Sequence, residues 1–525
     1  MQLAEIRGLD GPNLFMLGPA IKVEIILEAA ETRDMLKSRL GGGRTLLDAA
    51  TRAVSWLHET ANQPAPHVVT RVMDEFDHIS IAFSWSRRAF AMLVGRAIFD
   101  LASGATLPTE LDVRFRDALT TPAVDDHPLL VRAAQPRPIA IGVTGTNGKT
   151  TTTRLLAHLM RAAGHRTGWT SSSGIYVEGE LLEEGDYSGP SGARRILEDP
   201  TLDAAVLETA RGGILLRGLG YEQNDVSVFT NVSADHLDLQ GVRTLKTLAE
   251  VKAVVCRVTR PDGVCVLNAD DKLVMAATAD VPARRTLITR TEDSAEINRH
   301  LQHGSTVIIG SADAIIIRTT GTDDIRIDYA SMPLTHAGRA IHMVENAMCA
   351  IGAALGAGLT IDQIRSGLSS FENDPTHNPG RMNIYSCGGV TVILDFAHNE
   401  IGLKHLLEFG RGDVRNGGRL ISIIGTAGDR NDVSLHQIGR IAADLSDVVI
   451  AKGTRKYLRG RSLDELMAFY RGGAMEGRKV DYRESADEIS ALELALEIGK
   501  PGDAVAMMVH EQVPALVELL EVRSR

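Results

Sequence analysis

The stretch IGVTGTNGKTTTTRLL, residues 141–156, decides the reading of the chain. The β-branched run IAIGV enters a turn containing Gly145 and Gly148 and leaves into a helical pattern in which Leu155, Leu156 and Leu159 face one side. Strand, glycine turn and helix start, with G-K-T at the junction, form the context of a phosphate-binding loop. The two glycines let backbone N–H groups approach phosphate oxygens closely, and the helix N-terminus adds a dipole that favours an anion. Lys149 then supplies charge for β- and γ-phosphates, and the hydroxyl of Thr150 suits a Mg²⁺ ligand. A strict Walker pattern has glycine where this chain has Val143, so the loop is a variant.

Outward from the loop, short β-branched runs alternate with amphipathic helical patterns, as in DAAVLET and DVSVFTNV. Such alternation implies βαβ units and a mostly parallel sheet covered by helices. A second series begins after Gly380 with GVTVILDFAHN, continues through a helix at LKHLLEFG, and runs on to RLISIIG, SDVVIAKG and DAVAMMV. Between the series, ENAMCAIGAALGAG sets Ala347, Ile351 and Leu355 at helical spacing, and residues 311–330 alternate like a small antiparallel insert. Upstream, residues 120–138 hold Pro122, Pro128, Pro136 and Pro138 without a sustained period, which suits a linker. The chain of 525 residues is long enough for roughly three domains of ~150 residues.

Charge and cysteine usage narrow the function classes. Lys plus Arg number 56 against 67 Asp plus Glu, a net charge of -11, so no basic excess is available for a nucleic-acid backbone. Cys256, Cys265, Cys349 and Cys387 lie far apart with no C-x-x-C pair, which argues against a zinc ribbon or disulfide framework and fits a reducing cytoplasm. Glu5, Arg7 and Asp10 interrupt the beginning of the chain where a signal peptide needs an apolar run, and no stretch of ~18 uncharged apolar residues follows, so no membrane partner is expected.

With its upstream strand, TGTNGKTT resembles the ATP loop of the Mur ligase superfamily, the amide-forming enzymes of cell-wall, folate-polyglutamate and cyanophycin synthesis. VLETARGGILLRGL (206–219), TNVSADHLDLQG (230–241), GVCVLNADD (263–271), HMVENA (342–347), DPTHNPGRMN (374–383), DFAHN (395–399) and GTAGDR (425–430) occur in the order that superfamily uses. ETARGGIL, GDYSGP (185–190), DPTHNPGRMN and RGR (459–461) look most like the Mur-type half of cyanophycin synthetases, and IRGLDGPNLF resembles the opening of their amino-terminal domain. Those enzymes carry an ATP-grasp module between the two parts; here the Pro-rich segment stands in its place. The resemblance implies an N-terminal α+β, cyanophycin-synthetase-like domain with linker at 1–134, a central P-loop ATPase domain with a parallel sheet at 135–380, and a C-terminal Rossmann-like α/β domain at 381–525.

The resemblance also implies an activity and a site. The expected reaction is ATP- and Mg²⁺-dependent amide ligation, in which an acceptor carboxylate becomes an acyl phosphate that an amino acid's amine attacks. Cyanophycin-like chemistry joins arginine or a related basic amino acid to an aspartate side chain. Without the ATP-grasp module, a separate backbone-ligating enzyme or a premade acceptor is required, and a homo-oligomer is compatible with this reading. Gly145, Thr146, Asn147, Gly148, Lys149, Thr150 and Thr151 would hold the phosphates, Asn268 and Asp270 adenine and ribose, Asn346 the base side, and Arg381 the phosphates on domain closure. Thr150, Glu208, His236 and Lys252 would hold metal, Lys252 as a carbamate, while Lys149, His236 and Lys252 form the catalytic set. Arg211, beside Gly212 and Gly213, would meet the acceptor, and Asp395, His398 and Asn399 the incoming amine. Met343, Phe396 and Glu400 stand where relatives commonly have Asn, Tyr and Pro, which leaves base and amine recognition open. For the run Arg455, Lys456, Arg459 and Arg461, an anion site and a solvated face are both open. Two alternatives remain: an ATP-binding regulatory or polymer-binding module without ligation, and a cell-wall or folate-type ligase.

Overall fold

The computed structural model describes the chain except residues 75–76, 121–125, 235–240, 293, 303–304, 429 and 525, with the side chain at 296 also left aside. His236 and part of the Pro-rich segment therefore lie outside the described residues. Among the described residues the strands form three sheets. The first is antiparallel, in the order β1 (Gln2–Leu9), β2 (Ala20–Ile26), β4 (His78–Ser84), β3 (Val68–Val72). Helices Leu46–Thr60 and Arg88–Ser103 cover one face, burying Ile21, Val23, Ile79, Ile81 and Phe83.

The second sheet carries the loop. Its strands are β5 (Ile139–Thr144), β6 (Thr167–Ser171), β7 (Gly174–Val177), β8 (Glu180–Glu184), β9 (Ala204–Glu208), β10 (Asn224–Phe229), β11 (Thr259–Asn268), β12 (Arg284–Thr289), β13 (Thr306–Gly310), β14 (Ala314–Thr319) and β15 (Ile325–Asp328). They stand in the order β15-β14-β13-β12-β11-β10-β5-β9-β6-β7-β8, parallel from β13 to β6 and antiparallel at both ends. The alternation at 311–330 is the antiparallel pair expected, and it continues this sheet instead of standing apart from it. Helix Lys149–Ala162 is buried nearly all round, between the sheet and helix Ile341–Gly356. Leu155, Leu156 and Leu159 are wholly buried, each contributing on the order of 1.5–3 kcal/mol by area. Ala347, Ala350, Ala353 and Ala354 on the second helix leave room for the two to approach.

The third sheet runs β16 (Asn383–Cys387), β17 (Val390–Asp395), β21 (Ala504–Met508), β18 (Leu420–Ile424), β19 (Val448–Lys452), β20 (Asp481–Ser485), parallel except for the β16–β17 pair. This is the Rossmann-like α/β arrangement that the repeated βα pattern predicts.

Residues just after β1 and β3 bond to the part of the chain that carries the phosphate loop. Asp10 N–H donates to the Arg217 carbonyl (2.7 Å) and Leu219 N–H to the Pro12 carbonyl (2.8 Å). Asp74 accepts the N–H groups of Arg243 (2.7 Å) and Thr244 (2.9 Å) and the Thr247 hydroxyl (2.7 Å). A carboxylate there complements the orphan donors and positive dipole end of helix Leu245–Arg257. That helix carries Lys252.

Candidate active site

The carboxyl ends of β9, β5 and β10 are tied together before the loop begins. Thr209 N–H donates to the Val143 carbonyl (2.8 Å), the Thr144 hydroxyl to the Thr209 carbonyl (3.0 Å), and Thr230 N–H to the Thr144 carbonyl (3.0 Å). Gly145 turns at φ 147°, where an added Cβ would lie 1.9 Å from the Thr230 hydroxyl oxygen. Gly148 turns at φ 85°, where a Cβ would lie 2.1 Å from Asn346 Oδ1. Both positions require glycine for space and for backbone conformation.

The loop is prebuilt by a partner segment. Asn231 accepts Thr146 N–H on its carbonyl and Asn147 N–H on Oδ1, both at 2.9 Å, while the Thr230 hydroxyl donates to the Asn147 carbonyl (2.7 Å). Ser233 N–H donates to the Thr146 hydroxyl oxygen (3.1 Å). The N–H groups of the helix's first turn, where Thr150 and Thr151 sit buried, remain to receive phosphate oxygens. Lys149 folds back so that Nζ donates to the Thr146 carbonyl (2.8 Å), an uncharged partner that a phosphate would outcompete.

Charged side chains collect beside this loop. Glu208 ends β9 with 3% exposure, and its Oε2 is buried without a hydrogen-bond partner. A carboxylate oxygen so placed calls for a cation, and together with the Thr150 hydroxyl it fits the oxygen-rich demands of Mg²⁺. No cluster of three or more His, Cys, Asp or Glu suited to a metal occurs among the described residues. Lys252 is 4% exposed, and its Nζ donates to the Gly145 carbonyl (2.6 Å), so this helical lysine points into the loop and not to solvent.

Arg381 stacks its guanidinium on Phe396, 4.1 Å from the ring centroid, and burial pushes it down to about 10, with Asp395 and Glu208 opposing that shift and Arg154 adding to it. The Phe396 that replaces a commoner Tyr thus serves as the platform for this arginine. Arg154, to which no motif in the sequence assigns a role, lies buried in the same field, its guanidinium pushed down by burial and held up by Tyr176 and Glu208.

From the third sheet, Asp395 ends β17, His398 follows with its Nδ1 3.1 Å from the Phe396 carbonyl, and Asn399 caps helix Glu400–Arg411. Asn399 Nδ2 donates to Asn147 Oδ1 at 2.9 Å, a direct bridge from the third sheet to the phosphate loop. A cavity of about 310 Å³ opens beside the bridge, lined by Ser233 and Ala234 on one side and Asn399, Glu400, Ile401, Gln437 and Ile441 on the other.

Burial raises the Asp395 carboxyl to about 6, against the pull of Arg381 and of the Met382 and Ala397 N–H groups. The folded protein therefore holds this proton more tightly than the unfolded chain, whose aspartates titrate near ~3.9. Stability from this group is present at low pH and is lost as pH rises from about 4 to about 6, about 3 kcal/mol in all. Asp395→Asn is expected to flatten the thermal-midpoint profile between pH 4.5 and 6.5. Parallel profiles for variant and wild type would remove Asp395 as the cause.

The remaining predicted residues are placed less directly. Asn268 donates to the Thr230 carbonyl (2.9 Å) and accepts Asp270 N–H (3.1 Å); Asp270 accepts the Thr289 hydroxyl (2.6 Å) and Arg290 N–H (2.7 Å), so both hold the rim of β10 to β12. Asn346 lies against Gly148 and Thr152, and its amide contacts Met343 Sδ at 3.7 Å. Arg211 opens helix Arg211–Arg217, with Gly213 closely packed on Gly189. Within the basic run at 455–461, Arg461 donates to the carbonyls of Gly428 and Arg430 and pairs with Asp432 (2.6 Å) and Glu465 (2.9 Å), holding the turn after β18. Thr230 and Asn231 stand in the motif TNVSADHLDLQG, and nothing in that motif says that they cradle the loop.

A phosphate loop bridged to a separate α/β sheet places the chain among P-loop proteins that carry a second α/β lobe against the loop. More narrowly, the chain belongs to the Mur ligase family: residues 143–354 match the Mur ligase middle domain and residues 380–508 the Mur ligase, glutamate ligase domain. It is 38% identical over 387 residues to cyanophycin synthetase of Trichormus variabilis, covering 73% of this chain and 42% of that protein, so it spans less than half the length of this relative. It is 30% identical over 375 residues to the UDP-N-acetylmuramoyl-L-alanyl-D-glutamate–2,6-diaminopimelate ligase of Gloeobacter violaceus, covering 70% and 71% of the two chains. The structure of E. coli FolC in complex with ADP matches with a TM-score of 0.54 at 19% identity, over 74% of this chain and 90% of that one, which establishes the shared fold. No helix among the described residues is long and apolar enough to cross a membrane.

Proposed function

We propose that this chain is an ATP-dependent amide ligase that activates an acceptor carboxylate as an acyl phosphate and joins it to the amine of an amino acid. The observation that carries this reading is the Asn399–Asn147 bridge, because it brings the turn bearing Asp395 and His398 against the loop that would hold a γ-phosphate. A simple nucleotide hydrolase needs no second lobe at that point. In the proposed division, segment 1–134 supports the site, 135–380 holds ATP, and 381–525 brings the amine.

A carboxylate approaching a triphosphate meets Coulomb repulsion, so cations and preorganised N–H donors matter more here than a strong base. Lys149, Arg381 and the first-turn N–H groups would hold the phosphates, with Asn268, Asp270 and Asn346 toward the nucleoside. Thr150, Glu208 and Lys252 would hold Mg²⁺, Lys252 after carbamylation, and His236 joins them by resemblance. Mg²⁺ supplies charge neutralisation of the transferred phosphoryl group. An acceptor carboxylate oxygen forms a bond to the γ-phosphorus as ADP leaves. The neutral amine, held near Asp395 and His398, then attacks the acyl carbon, the bond from that carbon to the phosphate oxygen breaks, phosphate leaves, and the nitrogen gives up one proton to solvent.

Similarity to cyanophycin synthetase supports an aspartate side chain as acceptor and a basic amino acid as donor, with a separate enzyme or a premade acceptor supplying the backbone. Similarity to the diaminopimelate ligase favours a cell-wall peptide as the second substrate class. Phosphate release from MgATP, measured across a panel of amino acids and short acidic peptides, is expected to require both a carboxylate acceptor and an amine. Turnover indifferent to both would overturn the proposal.

A further inference from the structure

We propose that Arg154 is the cation that receives the acceptor's carboxylate, in a subsite shared with Ser173 and Tyr176; this rests on the ligase reading above. Arg154 stands on the second turn of the loop helix, five residues after Lys149, and is 8% exposed. Its Nη2 donates to the Ser173 hydroxyl (2.9 Å) and its Nη1 to the His377 carbonyl (3.3 Å). Tyr176 lies beneath it, 5.8 Å from guanidinium to ring centroid, and is held in place by stacking on Trp169 at 5.0 Å and 3°. Ser173 is oriented in turn by Ser171 (2.8 Å) and the Tyr176 hydroxyl (3.3 Å). Every one of these partners is uncharged.

A guanidinium offers five N–H donors, and the hydrogen bonds above engage only part of that set. No carboxylate among the described residues lies within ion-pair distance of Arg154, and Glu208 acts on it only through the field. A buried cation without an anion is strongly disfavoured, so the site is built for an anionic visitor. Planar, forked donors match a carboxylate better than a lysine would.

Position along the sheet edge tells which anion. Asn268 ends β11 with Asp270 just beyond it, Thr230 and Asn231 follow β10, the phosphate loop follows β5, Glu208 ends β9, and Ser171 ends β6. Arg154 and Ser173 therefore stand on the side of the loop opposite the nucleoside residues, with Glu208 between. An acid entering from that side has its oxygen directed toward the γ-phosphate. Arg211, the acceptor residue suggested by resemblance, is then an outer contact.

The test uses the full chain, hexa-aspartate as the carboxylate probe, and calorimetric titration in the presence of Mg²⁺ and a non-hydrolysable ATP analogue. Arg154→Met is expected to weaken hexa-aspartate binding tenfold or more, with nucleotide affinity within about twofold of wild type. Arg154→Lys, which keeps the charge but loses the fork, should fall between, and Ser173→Ala should weaken the probe and leave the nucleotide alone. Unchanged probe affinity in Arg154→Met would overturn the assignment. So would probe and nucleotide affinities falling together, which would make Arg154 a phosphate contact or an anchor for the 374–380 segment. Wild-type protein that does not bind the peptide would also overturn it, while acceptor-dependent phosphate release would still judge the ligase reading separately.

Discussion

Lys149→Ala is expected to lower acceptor- and amine-dependent phosphate release by about a hundredfold to a thousandfold, with little change in thermal stability. The two halves of this result have different physical origins. In the folded chain Lys149 makes one hydrogen bond, to the Thr146 carbonyl at 2.8 Å, and the loop itself is held by Thr230, Asn231 and Ser233. Removing the side chain leaves that cradle standing. During phosphoryl transfer, however, negative charge gathers on the β–γ bridge and the γ-oxygens, and a cation already fixed at the loop stabilises it without reorganisation. Activity and thermal midpoint measured on the same preparation separate the effects. A variant that unfolds would assign Lys149 to the scaffold, and a variant with full turnover would remove it from the reaction.

Lys252→Ala is the second large expectation. The side chain is buried and reaches the Gly145 carbonyl at 2.6 Å, so the variant loses the group that sits at the root of the loop. If Lys252 works as a carbamate, the loss is a loss of negative charge, and a small carboxylate can occupy the space left behind. Turnover should fall by about a hundredfold or more and recover in part with added formate or acetate. Full activity in Lys252→Ala would remove the carbamate role. Loss without rescue by any short acid would point to the ammonium's hydrogen bond to Gly145 instead.

Much of this is legible in the sequence alone. A glycine turn between a β-branched strand and a helix has few physical readings, and the loop at 145–151 follows from it. Glu208 was legible as a carboxylate at the end of a strand, and Lys252 as a lysine among apolar neighbours. The expected antiparallel segment at 311–330 formed, but its attachment to the edge of the main sheet depends on β13 and is not written in the local alternation. β8 at the other edge, Glu180–Glu184, is exposed at every residue and carries no hydrophobic period to announce it.

What stayed hidden is mostly long-range. Asp74 caps a helix about 170 residues away, and Asn399 reaches Asn147 across 252 positions; no spacing rule joins such pairs. Arg154 and Arg461 look alike in the sequence, each a basic residue in a helical or charged run. Burial separates them: Arg154 lies among neutral groups, whereas Arg461 is neutralised by Asp432 and Glu465. A charge acquires its meaning from its partners, and partners are a property of the fold.

The central claim is that the energy of ATP is captured on a carboxylate before an amine arrives, and hydroxylamine trapping reaches it most directly. With MgATP, hydroxylamine and a panel of aspartyl and cell-wall-type peptide acids, the wild-type chain is expected to form a hydroxamate with at least one acid, in proportion to ADP released, and Lys149→Ala to form none. Tight ATP binding with no hydroxamate from any acid in the panel would contradict the account.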